Sequence, residues 1–482
     1  MSQREAAVDV PDFRTVSVEA LASMVQDRKL SAAAVTEHAL ERIETLNPQL
    51  NAFVALDADG ARRQASAIDE RLDAGDDVGP LAGIPVGVKD LADAAGFVTT
   101  RGAMHLRDTP PVAADSTEVA RLRAAGAVIV GKTNTPEFGC MGDTYNNVFG
   151  ATWNPWNLGR SPGGSSGGTA AAVMSGMVPA GTGSDGGGSI RIPSAMCGMS
   201  GLKPSHGRVP SGPPPLGLLD LSCVGPMARR IRDVAYCLDA VIGPHPSDLR
   251  SLPAPTESWR RALDDPPLPR RVLWMPSFDG GPVDSEIVAS CAAAIERLAT
   301  QGVDVVEATT LFDPADLVSQ AFAPLFLGGS IAPAFRALLG TPAWDDVTDW
   351  LAVALEDALE TVTVDTLAQA RQQSAELSMQ LGEAMSGFDA VLMPTMAGQT
   401  PVVGGNGTID GVEIENWVRF TPLANLTRRP AGTVCSGFTG DGMPIGLSVL
   451  GHQTDDVGVL QTVAVLEDLL GLDPIPPDIS VG

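Results

Sequence analysis

The stretch from residue 163 to residue 191 reads GGSSGGTAAAVMSGMVPAGTGSDGGGSIR. It contains two clusters of glycine and serine, at residues 163–168 and 183–189, separated by small and apolar residues. Because glycine tolerates unusual backbone angles and has no side chain, such clusters can present converging N–H groups to a ligand. Flexible linkers share this composition, but the apolar runs Thr169–Met174 and Ile190–Pro193 argue against a linker. We therefore expect a functional site on this stretch.

The composition restricts the class of protein. The chain has 482 residues, of which 44% are hydrophobic, so it can form one very large domain or two to three ordinary ones. A formal net charge of −26 argues against a nucleic-acid partner, since phosphate contacts need a basic face. Lysine occurs only at positions 29, 89, 132 and 203, which makes each of these lysines a candidate for chemistry.

Cysteine usage and the N-terminal segment indicate a cellular location. The six cysteines form no C-x-x-C pair and no metal-ligand spacing with the five histidines, so we expect reduced thiols, no metal and no cofactor. Met1–Asp12 is polar and lacks the apolar segment of a signal peptide, and no apolar run reaches transmembrane length. The sequence therefore predicts a cytoplasmic protein without a membrane partner.

Helical patterns alternate with short apolar strands along the chain. Residues 17–46 are predicted to form two helices, the second ended by Asn47-Pro48. Leu81–Asp90 has the pattern of a buried strand with a lysine at its end, and Ala127–Val130 of another. This alternation predicts an α/β layer architecture. Residues 310–385 are almost wholly helical in pattern and are expected to form a cap over the site.

Two motif matches lead to other functions. Gly126–Thr133 matches the phosphate-binding pattern G-x-x-x-x-G-K-[ST], but its centre is an apolar strand and Pro136 disfavours the helix that should follow, so we reject it. GGSSG matches the nucleophile elbow of α/β-hydrolases, with Ser165 as nucleophile and His452 available as base. That elbow must follow a buried strand directly, whereas residues 157–162 have the composition of a loop. An esterase using Ser165 remains an alternative.

A third arrangement needs no histidine. Lys89 would be the general base, Ser165 a relay and Ser189 the nucleophile. A lysine acts as a base only when neutral, and burial at the end of an apolar strand lowers its pKa. Ser165 can accept the proton of Ser189 and pass it on, so the base need not touch the nucleophile. A strand-end lysine that reaches solvent is the alternative explanation of Lys89, but it leaves the two serine clusters unexplained.

The glycines before Ser189 would supply an oxyanion hole. The N–H groups of Gly186, Gly187 and Gly188, together with that of Ser189, would face the negative charge that develops on a carbonyl oxygen under attack. The loss of one such donor costs about 3–4 kcal/mol of transition-state stabilisation. The glycine run therefore predicts a catalyst of acyl transfer.

Several segments of the chain together resemble the amidase signature family. The specific matches are Gly83–Asp90, Gly131–Phe138, Trp153–Trp156, Gly163–Gly168 and Gly186–Pro193. Weaker similarity extends the resemblance over about residues 15–470, and it is weakest in residues 245–385. The resemblance implies one α/β domain over residues 1–482, with a large twisted mixed sheet surrounded by helices and a helical cap at residues 310–385.

The resemblance also implies roles for individual residues. It implies a Ser-cisSer-Lys triad in which Ser189 is the nucleophile, Ser165 follows a cis peptide bond and Lys89 is the base. It places Asp185 and Arg191 as supports of the nucleophile loop. The residues that line the substrate channel are then Gly139, Cys140 and Met141. Gly186 departs from the family pattern, since many relatives carry Thr or Ile there, and it is expected to leave more room beside the oxyanion hole.

Within the family, the partner and the substrate distinguish the members. The glutamine-hydrolysing subunit of the tRNA-dependent amidotransferase would need companion subunits and a Tyr-Tyr-containing helix, but Tyr145 and Tyr236 are the only tyrosines. Fatty-acid amide hydrolases carry an N-terminal membrane helix, and the polar segment Met1–Asp12 does not predict one. We therefore expect a free-standing amidase acting on small, largely apolar amides, with carbamates (urethanes) and esters as further substrates; a homodimer remains open. The predicted cap carries large apolar side chains suited to aryl or alkyl groups: Phe312, Phe322, Leu325, Phe326, Phe335 and Trp344.

Overall fold

The computed structural model describes residues 9–211, 221–312 and 316–479; residues 313–315 of the predicted cap and both ends of the predicted domain lie outside these ranges. The strands, in chain order, are β1 (Phe53–Leu56), β2 (Pro85–Lys89), β3 (Val128–Thr133), β4 (Tyr145–Asn146), β5 (Gly150–Ala151), β6 (Ala180–Asp185), β7 (Gly201–Lys203), β8 (Cys223–Ala228), β9 (Arg271–Trp274), β10 (Asp304–Glu307), β11 (Ala390–Pro394), β12 (Gly407–Ile409), β13 (Val412–Ile414), β14 (Ala431–Phe438) and β15 (Pro444–Leu450).

Helices lie between these strands along most of the described chain. They are α1 (Val18–Gln26), α2 (Ala32–Leu50), α3 (Ala58–Asp73), α4 (Thr117–Ala124), α5 (Gly167–Met174), α6 (Arg191–Cys197), α7 (Ile231–Val241), α8 (Ser285–Thr300), α9 (Leu317–Ala323), α10 (Ala332–Phe335), α11 (Pro342–Asp345), α12 (Asp349–Thr361), α13 (Val364–Ala384), α14 (Pro422–Leu426) and α15 (Asp456–Leu470). A π-helical segment, Pro324–Ile331, joins α9 to α10.

Two mixed sheets form the centre of the molecule. The first has the order β1-β3-β2-β6-β8, with β2 parallel to both β3 and β6. The second has the order β10-β9-β11-β15-β14-β7. The predicted α/β class with a mixed sheet is confirmed. The strands form two sheets in place of the expected single large sheet, and the edge strands β8 of the first sheet and β7 of the second lie next to each other. Pro204 directly after β7 and Pro226 within β8 have no N–H to donate, and prolines of this kind belong to sheet edges.

The central strands and one helix bring the quoted stretch together. All residues of β2 and β3 are buried, as their apolar sequences predict. Helix α5 consists of small and apolar residues and is buried along its whole length. It can approach β6 closely because Gly181 has no side chain; a Cβ there would lie 2.6 Å from Cγ2 of Thr169. The first glycine/serine cluster therefore ends beside the carboxyl ends of β2 and β6.

Helix α2 ends later than its sequence predicts. It continues through Pro48 to Leu50, so the predicted stop at Asn47-Pro48 is wrong. Pro48 lies in the last turn, where a proline removes a single helix hydrogen bond. The helix ends instead at Asn51, which adopts a left-handed conformation with φ of 48° and donates its N–H to the Asn47 carbonyl.

The predicted cap is mostly helical over its described residues 317–384, while its role as a cover of the site stays a prediction. Its apolar side chains form a second hydrophobic cluster with residues of β11 and α14. The N-terminus of α12 is attached to the loop before Gly139, because Glu137 Oε2 accepts hydrogen bonds from the backbone N–H and the hydroxyl of Thr348, both at 2.8 Å. Burial raises the pKa of this Glu137 carboxyl group. The cap segment is therefore joined to the region that carries the candidate site.

Among the described residues, one helical run, Leu317–Leu338, is long and apolar enough to cross a membrane by length and composition alone. The expectation that no run reaches this length is wrong for this segment. A single such run is weak evidence, because core helices pass the same test. Leu317, Val318 and Phe335 within it are buried in the second hydrophobic cluster. The cytoplasmic location stays a prediction.

A buried ion pair joins the ends of β2 and β3. Lys132 Nζ lies 2.9 Å from Asp90 Oδ1, and both side chains are excluded from solvent. The same ammonium group donates to the Ala92 carbonyl at 2.9 Å and to Thr99 Oγ1 at 3.0 Å. Burial lowers the pKa of Lys132, and Asp90 acts in the opposite direction.

We expect Lys132→Met to lower the free energy of unfolding by about 3–5 kcal/mol, because it leaves the buried Asp90 carboxylate without a counter-charge. The matched control is Lys29→Met, which removes an exposed ion pair with Asp27 and should cost about 0–1 kcal/mol. Equilibrium urea unfolding of the three proteins at pH 7, with refolding checked, measures both values. Equal stability of the two variants would contradict the structural role of Lys132.

Candidate active site

Lys89 ends strand β2 inside the molecule. Its side chain is 1% exposed, and its backbone N–H donates to Thr182 Oγ1 at 2.9 Å. The Nζ atom donates to Ser165 Oγ at 2.8 Å, to Ser166 Oγ at 2.8 Å and to Ser184 Oγ at 3.0 Å. An ammonium group has three N–H donors, so every donor finds a hydroxyl oxygen. Both glycine/serine clusters of the sequence thus contribute to the surroundings of one amine.

Burial shifts the equilibrium of Lys89 toward the neutral amine. Burial lowers its pKa from 10.5 to about 7, while the negative charges of Asp185 and Glu118 act in the opposite direction. Within the described ranges, no carboxylate forms an ion pair with Nζ. Burial likewise raises the pKa of Glu118 to about 8. Near pH 7 the Lys89 amine can therefore either hold or release a proton.

The backbone around Ser165 is tightly packed. The peptide bond between Gly164 and Ser165 is cis, as the family resemblance implies. A Cβ atom on Gly164 would lie 2.1 Å from the carbonyl oxygen of Asp143. On the other side, a Cβ on Gly139 would lie 3.1 Å from Ser165 Oγ. Ser165 is 1% exposed, so its hydroxyl is held between Lys89 and the loop at Gly139.

The loop that carries Ser189 folds around the carboxylate of Asp185. Oδ1 of Asp185 accepts the N–H of Gly188 at 2.8 Å, and the Arg191 guanidinium donates to both carboxylate oxygens at 2.9 and 3.0 Å. Asn425 Nδ2 of α14 adds a hydrogen bond at 2.9 Å. Burial alone would raise the pKa of Asp185, but Arg191 and these donors lower it to about 2. The carboxylate is therefore charged and holds the loop in one shape.

The peptide unit between Gly187 and Gly188 is held at both ends. The Gly187 carbonyl accepts the hydroxyl of Thr421 at 2.5 Å, and the Gly188 N–H is taken by the carboxylate described above. Gly188 has a φ of 133°, which favours glycine. Of the predicted oxyanion donors, Gly188 is thus already engaged, whereas the N–H groups of Gly186, Gly187 and Ser189 have no acceptor among the described residues. Their role in an oxyanion hole stays a prediction.

Ser189 lies at the junction of the two clusters. Its side chain is buried, with 8% exposed, and its carbonyl oxygen accepts the N–H of Ser166 at 3.2 Å. The structure brings Lys89 and Ser165 into direct contact and joins Ser189 to them through the backbone of Ser166. The three residues of the predicted triad therefore share one site, while their catalytic roles stay predictions.

The predicted channel residues lie on the loop that faces Ser165. Gly139 has a φ of 71°, and a Cβ there would point at Ser165 Oγ, as described above. Cys140 is buried, and burial raises the pKa of its thiol; Met141 is partly exposed. The expected extra room at Gly186 is absent, because the ring of Phe326 occupies it: a Cβ on Gly186 would lie 3.1 Å from Cε2 of that ring.

The sequence analysis missed four residues of the site. Ser166 and Ser184 contact Lys89 and lie inside the quoted clusters, so their position was a usable signal. Asn425 in α14 and Thr421 directly before this helix hold the loop that carries Ser189. Thr421 lies 234 residues from its partner Gly187, and Asn425 lies 240 residues from its partner Asp185. No local pattern in the sequence indicates these contacts.

The two alternative motifs have unsuitable surroundings. Ser165 follows loop residues and no buried strand ends directly before it, so the nucleophile elbow lacks its defining context. The ring of His452, the residue available as the base in this alternative, contacts the Phe388 carbonyl oxygen at 2.8 Å. Most of the phosphate-binding pattern at Gly126–Thr133 forms strand β3. The pattern therefore lacks the loop that would bind a phosphate group.

The fold agrees with comparisons to known proteins. A family model described as Amidase matches residues 34–460, and the chain belongs to this family, the amidase signature enzymes, whose members hydrolyse amides. It is 33% identical over 463 residues to the acylamidase of Rhodococcus erythropolis, covering 94% of this chain and 95% of that protein. It is also 34% identical over 472 residues to a glutamyl-tRNA(Gln) amidotransferase subunit from Synechococcus sp. (strain CC9605), covering 93% and 95%.

Among solved structures, the chain is similar to a bacterial aryl acylamidase of the amidase signature family. The TM-score is 0.88 at 30% sequence identity, and the alignment covers 94% of this chain and 96% of that one. The predicted family and fold class are therefore confirmed.

We expect the Lys89 amine to titrate near pH 7, and Ser184→Ala to lower its pKa by about half a unit to one unit. Removal of a hydroxyl acceptor costs the charged ammonium more than the neutral amine. Because the chain has four lysines, carbon-13 NMR of labelled lysine Cε groups can follow each one, with Lys89→Met for assignment. Titration of Lys89 above pH 9, or a raised pKa in Ser184→Ala, would contradict this description.

Proposed function

We propose that the chain hydrolyses the C–N bonds of small, largely apolar amides through an acyl-enzyme formed on Ser189. The observation that carries this proposal is the 2.8 Å hydrogen bond between Lys89 Nζ and Ser165 Oγ inside a site that excludes water. A buried amine with a pKa of about 7 is a suitable general base at neutral pH. Family membership and the similarity to acylamidases support the same reaction class.

The reaction follows from the order of the three side chains. Ser165 takes the proton of the Ser189 hydroxyl and gives its own proton to the lone pair of Lys89. Ser189 Oγ then bonds to the carbonyl carbon, and the free N–H groups of the glycine loop stabilise the oxyanion. The proton returns through Ser165 to the leaving nitrogen, and the C–N bond breaks. Water cleaves the acyl-enzyme by the same route, which restores the serine.

The cap residues favour an apolar substrate. In this proposal residues 310–385 cover the site, and the Gly139–Met141 loop lines the channel on the side of Ser165. The similar proteins are named acylamidase and aryl acylamidase, so aryl amides are our first candidates. An acyl-enzyme mechanism also accepts carbamates and esters, which makes urethanes further candidates. The proposal needs neither a metal nor an organic cofactor, and places the enzyme in the cytoplasm.

A glutamine-hydrolysing subunit is the second candidate, favoured by the 34% identity to the glutamyl-tRNA(Gln) amidotransferase relative. Such a protein works with partner subunits, and its substrate is polar. The Phe326 ring beside Gly186 argues for the free-standing amidase, because it offers glutamine no hydrogen-bonding partner. The two candidates are separated by the substrate panel that follows.

We expect the purified protein, alone and without ATP, to hydrolyse a nitroanilide or an aryl carbamate. Ser189→Ala should reduce turnover by at least about a thousandfold, since it removes the nucleophile and leaves the surrounding fold intact. The matched control is Ser175→Ala, which removes a buried serine at the far end of helix α5. The panel contains a nitroanilide, an aliphatic amide, an aryl carbamate, an ester and glutamine. Full activity of Ser189→Ala would overturn the assignment, and turnover of glutamine alone would favour the amidotransferase candidate.

We expect kcat/KM to rise with pH and to level off above about pH 8, with about a tenfold difference between pH 6 and pH 8. The pKa of Lys89 is lowered to about 7, so the neutral, basic amine is the minor form at pH 6 and the major form at pH 8. The measurement is a pH–rate profile with the anilide under conditions in which chemistry limits the rate. A flat profile between about pH 6 and pH 9 would argue against Lys89 as the base.

A further inference from the structure

Two phenylalanine rings of the cap form a stacked pair beside the nucleophile loop. The centroids of the Phe322 and Phe326 rings are 5.1 Å apart, and the ring planes differ by 15°. Phe322 lies in α9 and Phe326 lies four residues later in the π-helical segment, so successive turns place both rings on one face. Phe326 is buried and Phe322 is partly exposed. The pair therefore combines a buried support with a ring that a substrate can reach.

The edges of both rings meet the glycines that precede Ser189. A Cβ on Gly187 would lie 2.5 Å from Cζ of Phe322, which is closer than two carbon atoms can approach. A Cβ on Gly186 would lie 3.1 Å from Cε2 of Phe326. The two rings thus fill the space that side chains at these positions would need. The glycines leave their N–H groups accessible while the rings close the volume above them.

The cap segment that carries the rings is itself closely packed. A Cβ on Gly328 would lie 2.5 Å from Cγ2 of Val362, at the junction of α12 and α13. Gln320 of α9 accepts a hydrogen bond from Gln373 of α13 at 2.7 Å. Because these contacts hold the segment on two sides, they fix the backbone positions from which both rings extend.

We propose that Phe322 and Phe326 are specificity-determining residues that restrict the acyl group to one that is unbranched or planar at the carbon next to the carbonyl. The inference rests on the proposed function of this site. An oxyanion bound by the glycine N–H groups must lie about 3 Å from them. The first carbon of the acyl group, which is attached to the carbonyl carbon, then lies against the ring edges. An acetyl, propionyl or benzoyl group passes beside the rings, whereas a quaternary carbon next to the carbonyl collides with them.

The test compares hydrolysis of the 4-nitroanilides of acetic acid and of trimethylacetic acid. The wild-type enzyme should prefer the acetyl compound, and Phe322→Leu and Phe326→Leu should each raise the ratio of trimethylacetyl to acetyl kcat/KM by about tenfold or more. Leucine preserves an apolar side chain and shortens the ring edge. The control is Trp350→Leu, an aromatic change on the exposed face of α12, where the side chain is 42% exposed. Its ratio should equal that of the wild type.

A second arm tests the contact between rings and glycines directly. Gly186→Ala and Gly187→Ala keep their N–H groups but place a Cβ against the rings, so each should lower the melting temperature and the activity toward both anilides. Phe326→Leu should restore the Gly186→Ala protein, and Phe322→Leu should restore the Gly187→Ala protein. The melting temperature provides a readout that does not depend on catalysis.

The outcomes separate the two proposals. If the wild-type protein hydrolyses neither anilide nor any member of the substrate panel, the proposed function fails, and the thermal rescue alone decides whether the rings and glycines are in contact. If the acetyl compound is hydrolysed but the Leu variants leave the ratio unchanged, the inference about Phe322 and Phe326 fails and the proposed function stands. Absence of rescue in both double variants also overturns the inference.

Discussion

The buried carboxylate of Asp185 is the constraint on which the candidate site depends. A charge without contact to water is costly, and here the Arg191 guanidinium, the Asn425 amide and the N–H of Gly188 offset that cost. Asp185 itself ends β6, whereas Arg191 begins α6, Asn425 lies in the short helix α14 and Gly188 lies in the loop between β6 and α6. One carboxylate therefore fixes the shape of the glycine loop. It also acts to raise the pKa of Lys89 against the effect of burial.

Two neighbouring buried lysines illustrate how surroundings separate a chemical role from a structural one. Lys89 and Lys132 lie on the adjacent parallel strands β2 and β3, and burial lowers the pKa of both amines. Lys132 has a carboxylate at 2.9 Å, which favours a permanent charge. Lys89 has three hydroxyl oxygens and no ion-pair partner among the described residues, so it can lose its proton near neutral pH. Of these two lysines, we propose a catalytic role only for Lys89.

The family, the α/β class and the principal candidate residues could be predicted from local sequence. Glycine clusters, a lysine at the end of an apolar strand and their spacing are visible without coordinates. Some predictions failed because a distant segment intervenes, and others failed for local reasons. Gly186 was expected to open space, yet Phe326 of the cap fills it. Pro48 was expected to end α2, but a proline in the last turn costs little, and Asn51 ends the helix.

The sequence by itself determined which groups are available: two serine/glycine clusters, a lysine on a buried strand and a run of glycines too small to block a carbonyl oxygen. These are local properties, because backbone freedom and strand burial depend on neighbouring residues. Only the tertiary structure decided which of these groups meet. Thr421 locks the Gly187 carbonyl, Phe322 covers the glycine loop and Ser184 joins the surroundings of Lys89. Such contacts depend on how helices and strands far apart in the chain pack, and no local pattern encodes that packing.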